Sequence, residues 1–251
     1  MKKNIHVYRI SIALIILTLF TIVPARSQID LKLGGGVGIT STVSDFNGGT
    51  IDYYSGSSYG QNSGFNLQGK AKVGLGGLDL VGEVGYISLQ NTGNSEPGQG
   101  IIEISQNIIS LKVGPELHIP IPALPLSPYV GANLAINSFS GETKFQGVSK
   151  VPSATYSIQE ATRLGVGISV GTEVSIGPLL SLDFNASYNF MNLSGKEWKD
   201  VNPNVNQRLD SYLALNDSAD PQYAAGDDKH VIANERSINA VLFTVSILFG
   251  L

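Results

Sequence analysis

The sequence predicts an all-β fold, an eight-stranded antiparallel up-and-down transmembrane β-barrel. Three observations carry this: a hydrophobic period of two recurring in eight segments, glycines inside those segments, and connections that alternate between long and short. Residues 163–177, "RLGVGISVGTEVSIG", show the first. Leu164, Val166, Ile168, Val170, Thr172 and Val174 fall on one side; Arg163, Gly165, Gly167, Ser169, Gly171 and Glu173 fall on the other. The 29 glycines lie well above the roughly 7% usual share and follow no collagen period, so they belong to the strands.

In chain order, the first 27 residues differ from the rest. Lys2, Lys3 and Arg9 precede an apolar run over 10–23, and Ala25, Arg26 and Ser27 follow, which reads as an export signal cut before Gln28. The run is short for a bilayer span of about 20 residues. The expected organisation is therefore a signal peptide at 1–27 and a barrel domain at 28–251. Without the leader, twelve basic residues face twenty acidic ones, a net charge of minus eight that argues against a nucleic-acid partner. With no cysteine there is no disulfide and no thiolate metal site.

The strands are expected at 29–41, 64–75, 78–90, 104–116, 128–139, 161–176, 179–192 and 237–249. Gly76-Gly77 and Gly177-Pro178 make tight turns, and 117–128 is stiffened by four prolines. The other connections, of about 22, 13, 21 and 44 residues, are polar and fall at the opposite end of an up-and-down barrel. Phe65, Leu67, Ala71 and Val73 alternate with Asn66, Gln68, Lys70 and Lys72, and Leu180, Leu182, Phe184 and Ala186 alternate with Ser181, Asp183, Asn185 and Ser187. So charged a face does not suit a dry core; with the sheet closed, the aliphatic face meets lipid and the charged face lines the lumen.

The lumen positions include Lys32, Lys70, Lys72, Lys112 and Arg163 against Asp30, Asp79, Glu83, Glu116, Glu173 and Asp183. Near-balanced charge in an interior just wide enough for side chains predicts paired plugs rather than an open pore. Glu83 is placed to meet Lys70, Lys72 or Lys112 on neighbouring strands. Phe65, Tyr86, Tyr188 and Phe190 share the aliphatic parity near the long-loop end and read as an interfacial aromatic girdle, whereas Phe139 has the other parity.

With its export leader, its eight glycine-rich strands and the last strand "NAVLFTVSILFGL", which puts Val241, Phe243, Val245, Ile247 and Phe249 on one face, the chain resembles the small outer-membrane β-barrel proteins of the OmpA/OmpX-like, porin-like superfamily. The resemblance implies an outer-membrane location in a bacterial cell, lipid around the barrel, and delivery by the barrel assembly machinery, which reads a C-terminal aromatic; here Gly250 and Leu251 follow Phe249. It also implies a monomer, and with strand eight ending at 249 no periplasmic wall-binding domain of the larger members is expected. Its enzyme members use a histidine at the outer rim. Here His118 falls on the other side, and His230 lies in a polar loop with Asp210, Asp217, Asp220, Asp227 and Asp228, where Ser218 or Ser237 could complete a triad only on paper. "GGGVG" at 34–38 lacks the lysine of a phosphate loop. The expectation is a non-enzymatic barrel, without cofactor or metal, whose long loops serve envelope integrity, adhesion or binding of an unidentified extracellular ligand. The alternatives are a narrow channel of the OmpW type for small or apolar solutes and, after it, a rim enzyme acting on lipid or peptide.

Overall fold

A computed structural model describes residues 30–119, 121, 125–201, 208–226 and 229–251. The export leader expected at 1–27, Asp227, Asp228 and part of the proline-rich connection lie outside them. Eight strands, β1 (Asp30–Val43), β2 (Ser63–Gly74), β3 (Leu78–Glu96), β4 (Gln99–His118), β5 (Leu126–Gln146), β6 (Ala154–Ser175), β7 (Leu180–Ser194) and β8 (Asn239–Gly250), pair in sequence order. β8 returns antiparallel to β1, from Lys32 opposite Gly250 to Val43 opposite Asn239, so the sheet closes and leaves no edge along the barrel wall.

The alternation sorts the faces as the sequence implies. Val37, Ile39, Leu134, Ile136, Ile168 and Val170 point outward and are roughly half to two-thirds exposed, while Lys72, Arg163, Glu173 and Asp183 point inward and are buried. A soluble protein would not leave so many aliphatic side chains outside; the surface suits hydrocarbon. Small lumen residues let the strands coil. A Cβ on Gly34 would come within 1.9 Å of the Ile247 carbonyl oxygen, and one on Gly38 within 2.0 Å of that of Phe243, so β1 and β8 approach closely only because these positions carry no side chain.

The end opposite the tight turns departs from expectation. The second and third connections, expected as long polar loops, are mostly strand: β3 and β4 pair out to Glu96 opposite Gln99, and β5 and β6 out to Phe145 opposite Ala154. One register shift falls between β5 and β6 after Phe139 and another between β6 and β7 at Leu164, re-aiming both strands where the barrel meets its cap. The first connection forms a 3-10 turn (Ser44–Phe46) and a short helix α1 (Thr50–Ser55), and the last carries a one-turn helix α2 (Asp210–Leu213).

These connections fold inward. Phe46, Leu89, Ile108, Phe139, Met191 and Ile238 belong to one apolar cluster, and Tyr53, Ile102, Phe145, Leu209 and Tyr212 to a second. The polar and charged lumen expected along every strand is therefore corrected. The turn-end half is ionic, but in the loop-end half the inward positions of β3 and β4 include Ile87, Leu89, Ile102, Ile104 and Ile108, with Gln106 among them, and the aliphatic ones pack against the folded connections. Covering by these segments removes the water that would otherwise penalise an apolar lining.

Candidate functional site

The charged side chains come from alternate positions of six strands, and the pleat alone aims them at one axis. Lys70 Nζ lies 2.8 Å from Asp183 and 3.8 Å from Glu116. Lys72 Nζ lies 2.7 Å from Glu116, 3.5 Å from Asp183 and 3.7 Å from Glu173. Lys32 hydrogen-bonds Glu173 and stands 3.6 Å from Asp30 at the mouth. Both central lysines are buried, so each positive charge depends on having two or three carboxylates in reach.

Two members come from residues that sequence reasoning passed over. Tyr129 donates to Asp183 at 2.6 Å, accepts from Asn185 at 2.9 Å, and places its ring 4.5 Å under the Lys72 ammonium. His118 stands 3.1 Å from Asp79. The parity of Glu116 was the available signal for His118, two positions along the same face, but its place in an assigned turn hid it.

Glu83 takes Lys112, at 2.8 Å, from among its three candidates. Lys70 is also its cross-strand neighbour, but that ammonium turns to Asp183. The Gln68 amide sits between the Glu83 carboxylate, 3.2 Å away, and the Ser246 hydroxyl, 3.0 Å away. A cavity of about 30 Å³ between Lys70, Glu83, Lys112, Asn133 and Ser169 holds about two water molecules by volume, far short of a pore.

Arg163 does not join this cluster. It lies in the loop-end half and grips Asp217, a residue of the last connection, with Nε and Nη2 each 2.8 Å from a carboxylate oxygen, while Nη1 is 3.1 Å from Glu197. Asp217 also accepts from Asn192 at 2.9 Å and from the Glu197 backbone amide at 3.0 Å. Burial alone would raise the Asp217 carboxyl, but the guanidinium and these donors outweigh it and hold it below the usual carboxylate range. Glu197 is held down in the same way by Lys199 and Arg163. The view of this connection as a solvated polar loop is thus corrected: Asp217 is fully buried because an arginine on the barrel wall compensates its charge.

Arg236 ties the last connection to the first. Its guanidinium lies 4.1 Å over the Tyr59 ring and donates to the carbonyls of Ser58, at 3.2 Å, and Asn216, at 2.8 Å. On α1 and α2, Tyr212 donates to the Tyr54 carbonyl at 2.6 Å, and Tyr53 meets Thr143 at 3.0 Å, burial pushing the Tyr53 phenol up to about 12. Of the residues named for a rim triad, His230 pairs with Asp220 at 2.8 Å, whereas Ser237 donates to Asp45 at 2.9 Å. Phe65 with Tyr86, and Tyr188 with Phe190, form two outward aromatic pairs with ring centroids 6.2 and 4.8 Å apart.

Residues 12–207 match the family described as outer membrane protein beta-barrel domain. Among solved structures, a major outer membrane protein from Thermus thermophilus is similar over 90% of this chain and 100% of its own, at 14% identity and a TM-score of 0.50. Neisserial surface protein A is similar over 87% and 96%, at 14% identity and a TM-score of 0.49, and OprG from Pseudomonas aeruginosa over 89% and 96%, at 8% and 0.45. A search of curated proteins found no match. At this identity the Thermus thermophilus structure speaks for the fold alone.

Proposed function

The chain belongs to the outer membrane protein beta-barrel domain family, which places it in a bacterial outer membrane, and from that premise we propose that it is a non-enzymatic surface barrel rather than a channel. Its working part is the folded cap outside the cell, which serves adhesion, ligand binding or envelope integrity. The observation that carries this is the double closure of the interior: ion pairs such as Lys70–Asp183 in one half, and in the other apolar packing sealed by the buried Arg163–Asp217 pair. A transport barrel has no use for a fixed plug of that depth, whereas a display scaffold gains rigidity from it. The outward aromatic pairs serve as interfacial anchors in this reading.

The absence of cysteine gives a direct test. Ser57→Cys lies at the exposed cap and Gly177→Cys at an open turn position where a side chain meets nothing within 4 Å. A membrane-impermeant maleimide added to intact cells should label Ser57→Cys and leave Gly177→Cys unlabelled until the outer membrane is opened. The reverse pattern would put the cap in the periplasm and end the surface reading. Loss of cell adhesion or of detergent resistance on truncating the exposed cap then separates the two surface roles.

A further inference from the structure

Asp79 and Glu116 are directly opposite each other on β3 and β4, and both point into the lumen. Two carboxylates in that register repel and normally need a cation between them. Glu116 has Lys72, but the one direct ion-pair contact of Asp79 among the described residues is His118, which shares the lumen face of β4 with Glu116 two positions away. His118 Nε2 is 3.1 Å from Asp79 and 3.9 Å from Glu116, and one ligand atom from each of the three residues fits within 4.8 Å of the others.

We propose that Asp79, Glu116 and His118 form a binding site for a divalent transition cation of the zinc type at the turn end of the lumen. Imidazole and carboxylate oxygens are the ligand set such ions take, and tetrahedral coordination at bonds near 2 Å separates ligand atoms by about 3.4 Å, a value that the two observed distances bracket. The other imidazole nitrogen, Nδ1, lies 2.9 Å from the Ser127 hydroxyl, which can accept the Nδ1 proton and so leave Nε2 as the ligand atom, and the ring rests 5.1 Å from that of Tyr129.

A second observation is independent of ligand type. The His118 side chain is nine-tenths buried, yet Nε2 lies against the Asp79 carboxylate without good hydrogen-bond angles, and Glu116 Oε2 beside it meets Lys72 in the same way, as an ion pair only. Charge points the same way. Asp30, Asp79, Glu116, Glu173 and Asp183 surround Lys32, Lys70 and Lys72, an excess of two negative charges when the imidazole is neutral, and one dication cancels it. Lys72 need not compete, because Asp183 and Glu173 remain within 3.7 Å of it.

The test is zinc binding to the whole barrel, folded in micelles and prepared without a histidine tag, by equilibrium dialysis and calorimetry. One zinc per barrel is expected. His118→Ala should lower affinity by more than the roughly tenfold to hundredfold that loss of a supporting residue causes, and Ser127→Ala should fall in that smaller range. Asp79→Asn provides a second removal in case His118→Ala fails to fold, with circular dichroism as the folding check. His230→Ala, at the other end, should bind normally. Absence of stoichiometric zinc from the wild type would overturn the proposal. Binding that survives both His118→Ala and Asp79→Asn, or that disappears with His230→Ala, would overturn it as well.

Discussion

Arg163 is the residue on which barrel and cap depend together. Removing one partner of a buried ion pair leaves the other charge uncompensated, so Arg163→Ala should destabilise the cap by about 3 to 5 kcal/mol. The pH dependence follows from Asp217 and Glu197, both held below the usual carboxylate range. Groups whose folded values are depressed contribute stability that is fully present above their unfolded values, about 4, and that is lost as pH falls through the lowered folded values. The cap should therefore be firm at neutral pH and loosen only in strong acid, and Arg163→Ala should move that loosening towards neutral pH. Trp198, the single tryptophan of the chain, adjoins Glu197 in the same connection, so its fluorescence during acid titration reads the transition. An acid midpoint unchanged in Arg163→Ala would mean that the guanidinium does not hold the cap.

At the level of elements, strand β1 tests how the barrel closes. Gly34→Ala must displace the Ile247 backbone on β8, whereas a Cβ on Gly69 meets nothing within 4 Å. Gly34→Ala should fold less completely into lipid vesicles and Gly69→Ala as well as the wild type, read by protease protection; equal yields would show that close approach at the β1–β8 seam is dispensable. All eight strands were legible in the sequence, because inside the membrane one face is uniformly aliphatic and the period of two is clean. Their outer ends were not. Asn91, Thr92, Gly93 and Asn94 carry no such alternation and favour turns, yet they lie in β3 because the first connection supports them: Thr50 of α1 donates to the Asn94 carbonyl at 2.8 Å, and Asn91 donates to that of Gly60, beyond α1, at 2.6 Å. That support comes from residues 31 to 44 positions earlier, which no local pattern contains. In the same way, parity placed Glu83 and Asp183 in the lumen, but register decides that Lys112 and Lys70 both flank Glu83 on adjacent strands, and side-chain reach across the lumen gives Lys70 to Asp183 and leaves Lys112 to Glu83. Asp217 was misjudged because its partner is 54 residues away.

For the molecule as a whole, two closures of different physical kind are stacked along one axis. The ionic half suits strands that must stay rigid with their backs in lipid, since charges removed from water hold one another in fixed positions. The apolar half behaves like the core of a small soluble domain placed on top of a barrel, and its helices and extended hairpins give the outer surface a defined shape. Steady single-channel conductance of the folded wild-type chain in a planar bilayer tests this directly. The double plug predicts a trace at the level of the bare lipid. A large and steady conductance would contradict it and place the narrow transport channel first.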